Sequence, residues 1–471
     1  MSNTRSAASR FDRSLVEGPI PLAVWRLAWP TMLQNMIGGL QGIIDHALVG
    51  HFVGYTANAA IGVSWQIILV VIVFITSLYT GMGVLVARHA GANDPEQVNR
   101  VFYQATLASL FLGLAVLAPV GYVLSPWLLG LVNAAPEVRA EAMPFMRIFF
   151  VGSSGMLLFF MLGGALRAAG DARTPLRFGI ALTAVNILFN VVLISGIGLF
   201  PPLGTRGAAL GTTAASLLVV GVGFWQVLRG RLVVQFPADR KWAPDWRIIR
   251  ELLQFGLPAG IQGVVMNVAG VLLLRFIGSL PQSAEAQAAF AVGYTELFSF
   301  ITWTSVGLMG AAATLAGQNL GAGRPERCIE GARVAARIGL GIAASIGGLF
   351  VVIPRALLGL FGMSDAEVVE IGVQLLRYLA VSGFFITVAL TYTGALQGTG
   401  DTRSPLVISI ISQVVVPLGL CALFQAVGTL EAADIWRAIV AGHCTRCALS
   451  VLRFRQGKWR DIAIGLVPAQ Q

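Results

Sequence analysis

Apolar positions along this chain run in long blocks separated by short polar breaks. The blocks cover roughly 25–50, 58–86, 101–124, 142–166, 176–198, 206–228, 252–277, 286–316, 334–354, 371–395, 406–427 and 436–453. A helix of about 20 apolar residues crosses the hydrocarbon of a bilayer. The pattern therefore predicts an all-α integral membrane protein of about twelve transmembrane helices. The breaks leave no room for a sizeable soluble domain.

The blocks fall into two related sets. GALRAAGDARTPL at 164–176 returns as GALQGTGDTRSPL at 394–406, with eight of thirteen positions identical at an offset of 230. GANDPE at 91–96 and GAGRPE at 321–326 share that offset. In so apolar a chain, a long-period duplication reads as the two-lobed build of a secondary transporter. Six spans per half return the chain to its starting side, so the repeat axis is expected along the membrane normal. Accordingly we divide the chain into a cytoplasmic tail (1–20), a first six-helix lobe (21–228), a cytoplasmic linker (229–251), a second six-helix lobe (252–454) and a cytoplasmic tail (455–471). Gly38, Gly39 and Gly42 give span one a small-residue face for close helix packing. Pro30 and Pro258 occupy matching positions of spans one and seven, where they fit a packing kink or a moving hinge.

Composition agrees: 56% of residues are hydrophobic and 11% charged, against about 25% charged in soluble domains. The net charge of +10 does not point to nucleic acid. Basic clusters follow spans two, four, six, eight and ten, and both termini are basic; examples are Arg88 and Arg100, then Arg167, Arg173 and Arg177, then the linker arginines, then Arg324, Arg327 and Arg333, with Arg453, Arg455, Lys458 and Arg460 in the tail. Residues 278–285 contain no Lys or Arg, and 428–435 carry Glu431 and Asp434. This is the positive-inside pattern, and it places both termini in the cytoplasm. The basic first 20 residues do not read as a cleavable signal. Cys328 is expected on a cytoplasmic loop and Cys421, Cys444 and Cys447 on late spans. The CxxC spacing of Cys444 and Cys447 lies inside an apolar helix, where packing explains it better than redox or metal chemistry.

In the repeated loops, Gly170–Asp171 and Gly400–Asp401 form a tight turn after a helix, with the Asp capping the turn backbone. Thr174 and Ser404 are then expected to N-cap helices beginning at Pro175 and Pro405. Arg173 and Arg403 fall at the cytoplasmic lipid boundary. The device reads as structural.

ALRAAGDARTPL followed by NILFNVVLISG, the second ALQGTGDTRSPL, LVGHFVG after IID, the GANDPE/GAGRPE pair and a closing RFRQGKW occur in this order. Together they resemble the multidrug and toxic compound extrusion (MATE) family from about residue 20 to 460. The resemblance implies two six-helix lobes around a central cavity, opening as a V outward or inward. It also implies export of organic, often cationic compounds in exchange for H⁺ or Na⁺, with no other cofactor.

Asp45 is the first candidate for the chemistry. An ionised carboxylate in hydrocarbon is costly, so it must face the cavity or a partner. It falls in the outer half of span one, where it is placed to bind and release H⁺ or Na⁺, or to be satisfied by buried hydroxyls and amides. The family has an acid matching this position, thought to carry ion coupling. Asn186 and Asn190 share a face of span five. Some members have Asp at the position of Asn190, and an amide there cannot release a proton. Gln34, Asn35 and Gln41 on span one are candidates for the same cluster. Metal is limited to a Na⁺ there. At the repeat offsets Asp45 meets Leu273, and Asn186 and Asn190 meet Val416 and Leu420. The polar cluster thus belongs to one lobe only, which argues for function over scaffold.

In the second lobe, Glu296 on span eight, whose counterpart is Gln66, is either a cavity acid or paired with Arg275 or Arg377. One branch of the family has a Glu on span seven and an Asp on span ten; those places here hold Met266 and Ile386, so that branch's Na⁺ preference does not carry over. His46, His51 and His443 can titrate near neutrality, and Trp65, Phe298 and Trp303 are candidate cavity aromatics. The leading reading is a monomeric, ion-coupled exporter of cationic or neutral small molecules in the cell membrane. The alternative is a lipid-linked oligosaccharide flippase of the same superfamily, which calls for cavity cations. An enzyme is disfavoured by the lack of HExxH or GxSxG, and ATP-driven transport by the lack of a Walker A motif.

Overall fold

The computed structural model describes residues 11–132, 135–196, 201–239 and 243–465, apart from a few side chains between Tyr55 and Phe74. Among them there is no strand, and twelve long helices follow the predicted blocks. They are α1 (Ile20–Phe52), α2 (Tyr55–Gly91), α3 (Pro95–Leu131), α4 (Pro136–Ala168), α5 (Arg173–Ser195) and α6 (Gly204–Leu228). The second set is α7 (Trp246–Gly278), α8 (Ser283–Gly321), α9 (Pro325–Val352), α10 (Ala366–Thr399), α11 (Arg403–Val427) and α12 (Ala432–Arg455). Nine, α3 to α11, are long and apolar enough to cross a membrane among the described residues. α12 is less apolar because it carries Asp434, Arg437, His443, Arg446, Arg453 and Arg455.

Helix ends follow local chemistry. Pro95, Pro136 and Pro325 open α3, α4 and α9, where a missing N–H costs nothing. The Asp94 carboxylate accepts from the Gln97 N–H at 3.1 Å, and Asp365 caps Glu367 and Val368 at 3.0 and 3.1 Å. Glu431 and Asp434 form a capping box on α12. Three helices contain a π-helical segment: Leu112–Leu117 in α3, Ala291–Leu297 in α8 and Ile410–Val415 in α11. No hydrophobicity pattern announces these.

The chain forms two compact units. The first comprises Met1–Pro19, Ile37–Leu257 and Gln318–Arg324; the second comprises Ile20–Met36, Pro258–Gly317 and Pro325–Gln471. In the first, α4 packs against α2, α3 and α6, and α5 pairs with α6. In the second, α10 holds the same place, packing against α8, α9 and α12. The repeated GAL motif ends these two central helices, where small residues allow close contact. Gly164 packs on Tyr79 of α2, and Gly394 on the Met309 carbonyl of α8. Positions 79 and 309 are themselves 230 apart.

The turns after α4 and α10 match. Gly170 and Gly400 have φ of +103° and +99°, a conformation that favours glycine. The helices that follow begin at Arg173 and Arg403, two residues before the prolines. The expected Thr174 and Ser404 caps are therefore corrected: Asp171 and Asp401 do the capping. Asp171 Oδ1 accepts from the N–H groups of Arg173 and Thr174 at 3.1 and 3.0 Å. Asp401 Oδ1 accepts from the Ser404 N–H at 3.1 Å. An Asp reaches two or three residues ahead, so the prolines sit inside the first turn rather than at its start. Pro175 and Pro405 are buried, while Arg173 and Arg403 are exposed as expected. Cys328, expected on a loop, lies in the first turn of α9, its thiol donating to the Ala316 carbonyl at 3.2 Å.

The polar-looking N-terminal tail is in part packed. Phe11, Leu15 and Val16 are buried. Asn319 Nδ2 donates to the Leu15 carbonyl at 3.2 Å, and Arg324 Nη1 to the Val16 carbonyl at 2.9 Å.

Candidate functional site

Three helices of the first unit meet around Asp45. On α1, Gln41 and Asp45 are four residues apart and share a face. On α5, Thr183, Asn186 and Asn190 recur at helical spacing. Opposite them, α6 carries Gly207, Gly211 and Thr212. Gly207 lies on the Leu193 carbonyl of α5, and Gly211 lies against the Asn190 amide oxygen. The two glycines let α6 approach α5 closely at Leu193 and Asn190.

The polar groups form one chain. Asn190 Nδ2 donates to Asp45 Oδ1 at 2.8 Å and to Asn186 Oδ1 at 3.3 Å. Asn186 Nδ2 donates to Thr212 Oγ1 at 3.0 Å, and Thr212 to the Ala208 carbonyl at 3.0 Å. One turn earlier, Thr183 Oγ1 donates to Gln41 Oε1 at 2.7 Å. Asn186 and Asn190 are fully buried, and Asp45 is partly buried. Asn190 Oδ1 is buried without a hydrogen-bond partner. Such an acceptor is costly to leave unmet. The cluster thus offers carboxylate and amide oxygens and few spare donors, the character of a proton or hard-cation site. Among the described residues no group of three His, Cys, Asp or Glu side chains could hold a metal.

The other sequence candidates separate. Asn35 belongs to the second unit and donates to the Trp303 carbonyl at 3.3 Å. Gln34, beside it, belongs to the same unit, and Gln41 bonds Thr183 in the first unit. His46 points away from it: Nδ1 meets Asn58 Oδ1 at 2.6 Å. The side chain of Gln66 lies outside the described residues. Glu296 falls within the π-helical segment of α8 and is partly exposed. Among the described residues its carboxylate makes no ion pair, so the expected alternatives Arg275 and Arg377 do not hold it. π segments recur at functional sites, consistent with a free acid there. Phe298 is core, stacked on His443 with ring centroids 5.9 Å apart. Trp65 packs edge-on against Phe149 at 5.8 Å. A 310 Å³ apolar cavity in the first unit, lined by Tyr103, Leu158, Phe224 and Phe236 among others, includes no residue of the Asp45 cluster.

Residues 30–192 and 258–423 each match the MatE family model. The chain belongs to the MatE family. Curated relatives run nearly end to end with it. A probable multidrug resistance protein NorM of Thermotoga maritima is 28% identical, covering 93% of each chain. Multidrug resistance protein PmpM of Pseudomonas aeruginosa is 25% identical over 91% of each. Solved structures share the fold. An outward-facing multidrug resistance MATE family transporter of the MOP superfamily superposes with a TM-score of 0.88 at 21% identity, covering 97% of this chain and 100% of that one. A MOP superfamily transporter from Pyrococcus furiosus gives 0.87 at 21% identity with the same coverage.

Within this MatE chain, sequence reading missed three parts of the polar architecture. Thr183 and Thr212 complete the Asp45 chain but look like ordinary span threonines. Gly211 is one of 55 glycines, and only its contact with Asn190 distinguishes it. Arg446 on α12 is a buried cation, 3% exposed, in a span whose other arginines suggested only its ends. It is a deep charge of opposite sign to Asp45 and Glu296.

Proposed function

We propose that this chain exports cationic or neutral organic amphiphiles across the cell membrane by alternating access, in exchange for H⁺ or Na⁺. The observation that carries the reading is the Asp45–Asn190 pair with its unpartnered amide oxygen, built into one half of a duplicated scaffold. A carboxylate at this depth is costly when ionised and unpaired, so occupancy by a proton or cation changes the stability of each conformation. An ion that binds one conformation better shifts the equilibrium towards it, which is the coupling an antiporter needs. With Asn at position 190, Asp45 is the single proton-accepting carboxylate of the cluster. A Na⁺ would take Asp45 and the amide oxygens of Asn190 and Asn186, which suit a hard cation. The curated relatives' description as multidrug resistance proteins supports export. We place both termini in the cytoplasm on the loop charges and read the working unit as a monomer.

A lipid-linked oligosaccharide flippase is the second reading, favoured by one observation, the buried Arg446. The deciding experiment is efflux of ethidium from proteoliposomes under an imposed H⁺ or Na⁺ gradient, comparing the native chain with Asp45→Asn. Gradient-driven efflux that the substitution abolishes is expected. Gradient-driven efflux unchanged by the substitution would remove coupling from Asp45. No efflux in either would remove the exporter reading.

A further inference from the structure

Arg446 lies nine residues before the end of α12, about 14 Å along the helix axis. Its guanidinium carries five N–H donors. Nη1 reaches only the Met266 thioether, at 3.9 Å, and Nε is buried with no partner. Among the described residues no carboxylate pairs with it. The titratable groups facing it are Tyr294 and His443, and neither is a carboxylate. A buried charge without a counter-charge is expensive in hydrocarbon and persists where something compensates it.

The surroundings are rich in unsatisfied donors. Ser450, one turn further along the same face of α12, and Ser412 on α11 are both buried with hydroxyls that have no partner. The Gln413 amide nitrogen is also unpartnered. Gly442, one turn before Arg446, rests on the Ser412 carbonyl, so α11 lies directly against this stretch of α12. One turn before Met266 on α7, Gln262 Nε2 donates to Ser409 Oγ at 2.8 Å, and Gln262 Oε1 accepts from Gln397 Nε2 at 3.1 Å. Those groups satisfy one another and leave Arg446 as the unmatched member.

We propose that Arg446 is an anion-binding residue of the second unit. It receives an oxyanion, carboxylate or phosphate, of the molecule being moved, with the hydroxyls of Ser412 and Ser450 as further donors. The planar guanidinium fork suits either oxyanion. Resting on the proposed export function, this extends the substrate class to amphiphiles bearing an acid group, zwitterions included. Among the described residues no acidic partner competes for the guanidinium.

Binding tests this without transport. The purified full chain in phosphatidylcholine nanodiscs is titrated, by fluorescence anisotropy, with rhodamine 110 and with its methyl ester rhodamine 123. The two dyes differ only in a free carboxylate. The acid should bind at least roughly tenfold more tightly, about 1.4 kcal/mol. Arg446→Gln should erase that preference while leaving the ester's affinity unchanged, and Arg446→Lys should retain part of it. Equal affinity of acid and ester for the native chain overturns the proposal, whatever the variants do. Repeating the titration in phosphatidylglycerol discs and with inorganic phosphate as competitor separates the sources. Loss of acid binding only in phosphatidylglycerol discs would assign the oxyanion to a lipid headgroup and overturn its assignment to the cargo. Acid preference without gradient-driven efflux would sink the exporter reading and leave this site standing.

Discussion

Substituting Gly211 with Ala tests the Asp45 site without replacing any of its polar side chains. A methyl group at position 211 overlaps Asn190 Oδ1 and lies 3.1 Å from the Asn190 backbone nitrogen and 3.2 Å from its Cγ. The backbone nitrogen cannot move without moving α5, so the amide must leave. Overpacking of this kind costs about 1–3 kcal/mol. Displacing the amide also breaks its 2.8 Å bond to Asp45, and a hydrogen bond to a charged group contributes about 1.5–3 kcal/mol. The better helix propensity of Ala offsets about 1 kcal/mol, leaving a net loss of roughly 1.5–5 kcal/mol. Gly221 lies on the same helix with nothing within 4 Å of an added Cβ, so Gly221→Ala is a matched control. Thermal unfolding in detergent and gradient-driven ethidium efflux should both fall in Gly211→Ala and stay at native values in Gly221→Ala. Native melting and native coupling in Gly211→Ala would refute the placement of Asn190 between α5 and α6.

Two further outcomes follow from packing elsewhere. In the first unit an added Cβ at Gly91 runs into the Gln318 carbonyl, and one at Gly321 into the Arg88 carbonyl; backbone cannot yield as a side chain does, so either Ala variant should lose more than about 3 kcal/mol and fail to melt cooperatively, while Gly341→Ala, in open space on α9, should not. Arg453 donates to Asp401 Oδ2 through Nε and Nη2, both at 2.9 Å, so Arg453→Gln should cost about 1–3 kcal/mol in a thermal melt. Asp171→Ala, which removes only a half-buried cap, should cost about 1 kcal/mol, and a reversed order would contradict the assignment.

The helices were legible because hydrocarbon demands long apolar runs and because proline, aspartate and glycine at the breaks act on their immediate neighbours. Asp171 and Asp401 show the limit of that locality. Both Asp and Thr/Ser are good caps, and sequence alone favoured the residue next to proline; the reach of the carboxylate decided otherwise. Asp45 and the Asn pair could be named because a polar side chain in hydrocarbon stands out. Their partners could not. Thr183, Thr212 and Gly211 matter through contacts between helices 20 or more residues apart in the chain. Gln34 and Asn35 show the same limit: proximity to Asp45 along α1 says nothing about which unit each half of that long helix packs in. Arg446 was hidden among end-of-span arginines, since depth in α12 depends on where the helix begins.

Duplication separates scaffold from chemistry more sharply in the structure than in the sequence. Contacts that hold helices together recur at the 230-residue offset: Gly164 with Tyr79 and Gly394 with Met309, or the exchanged pair in which Gly91 meets Gln318 and Gly321 meets Arg88. Each buries small residues against a neighbour, and selection for stability would keep both copies. The polar and charged groups of the two sites do not recur. Asp45 and Asn190 have apolar counterparts in Leu273 and Leu420, and neither Ser216 nor Leu218, 230 and 228 residues before Arg446, carries a charge. If these groups served packing, the half that lacks them would need a substitute of similar polarity, and none is present at those positions. A buried acid cluster in one unit and a buried unpaired cation in the other are therefore departures from a shared frame. Such departures cost stability in hydrocarbon, and on the reading proposed above each meets charge that comes from outside the chain.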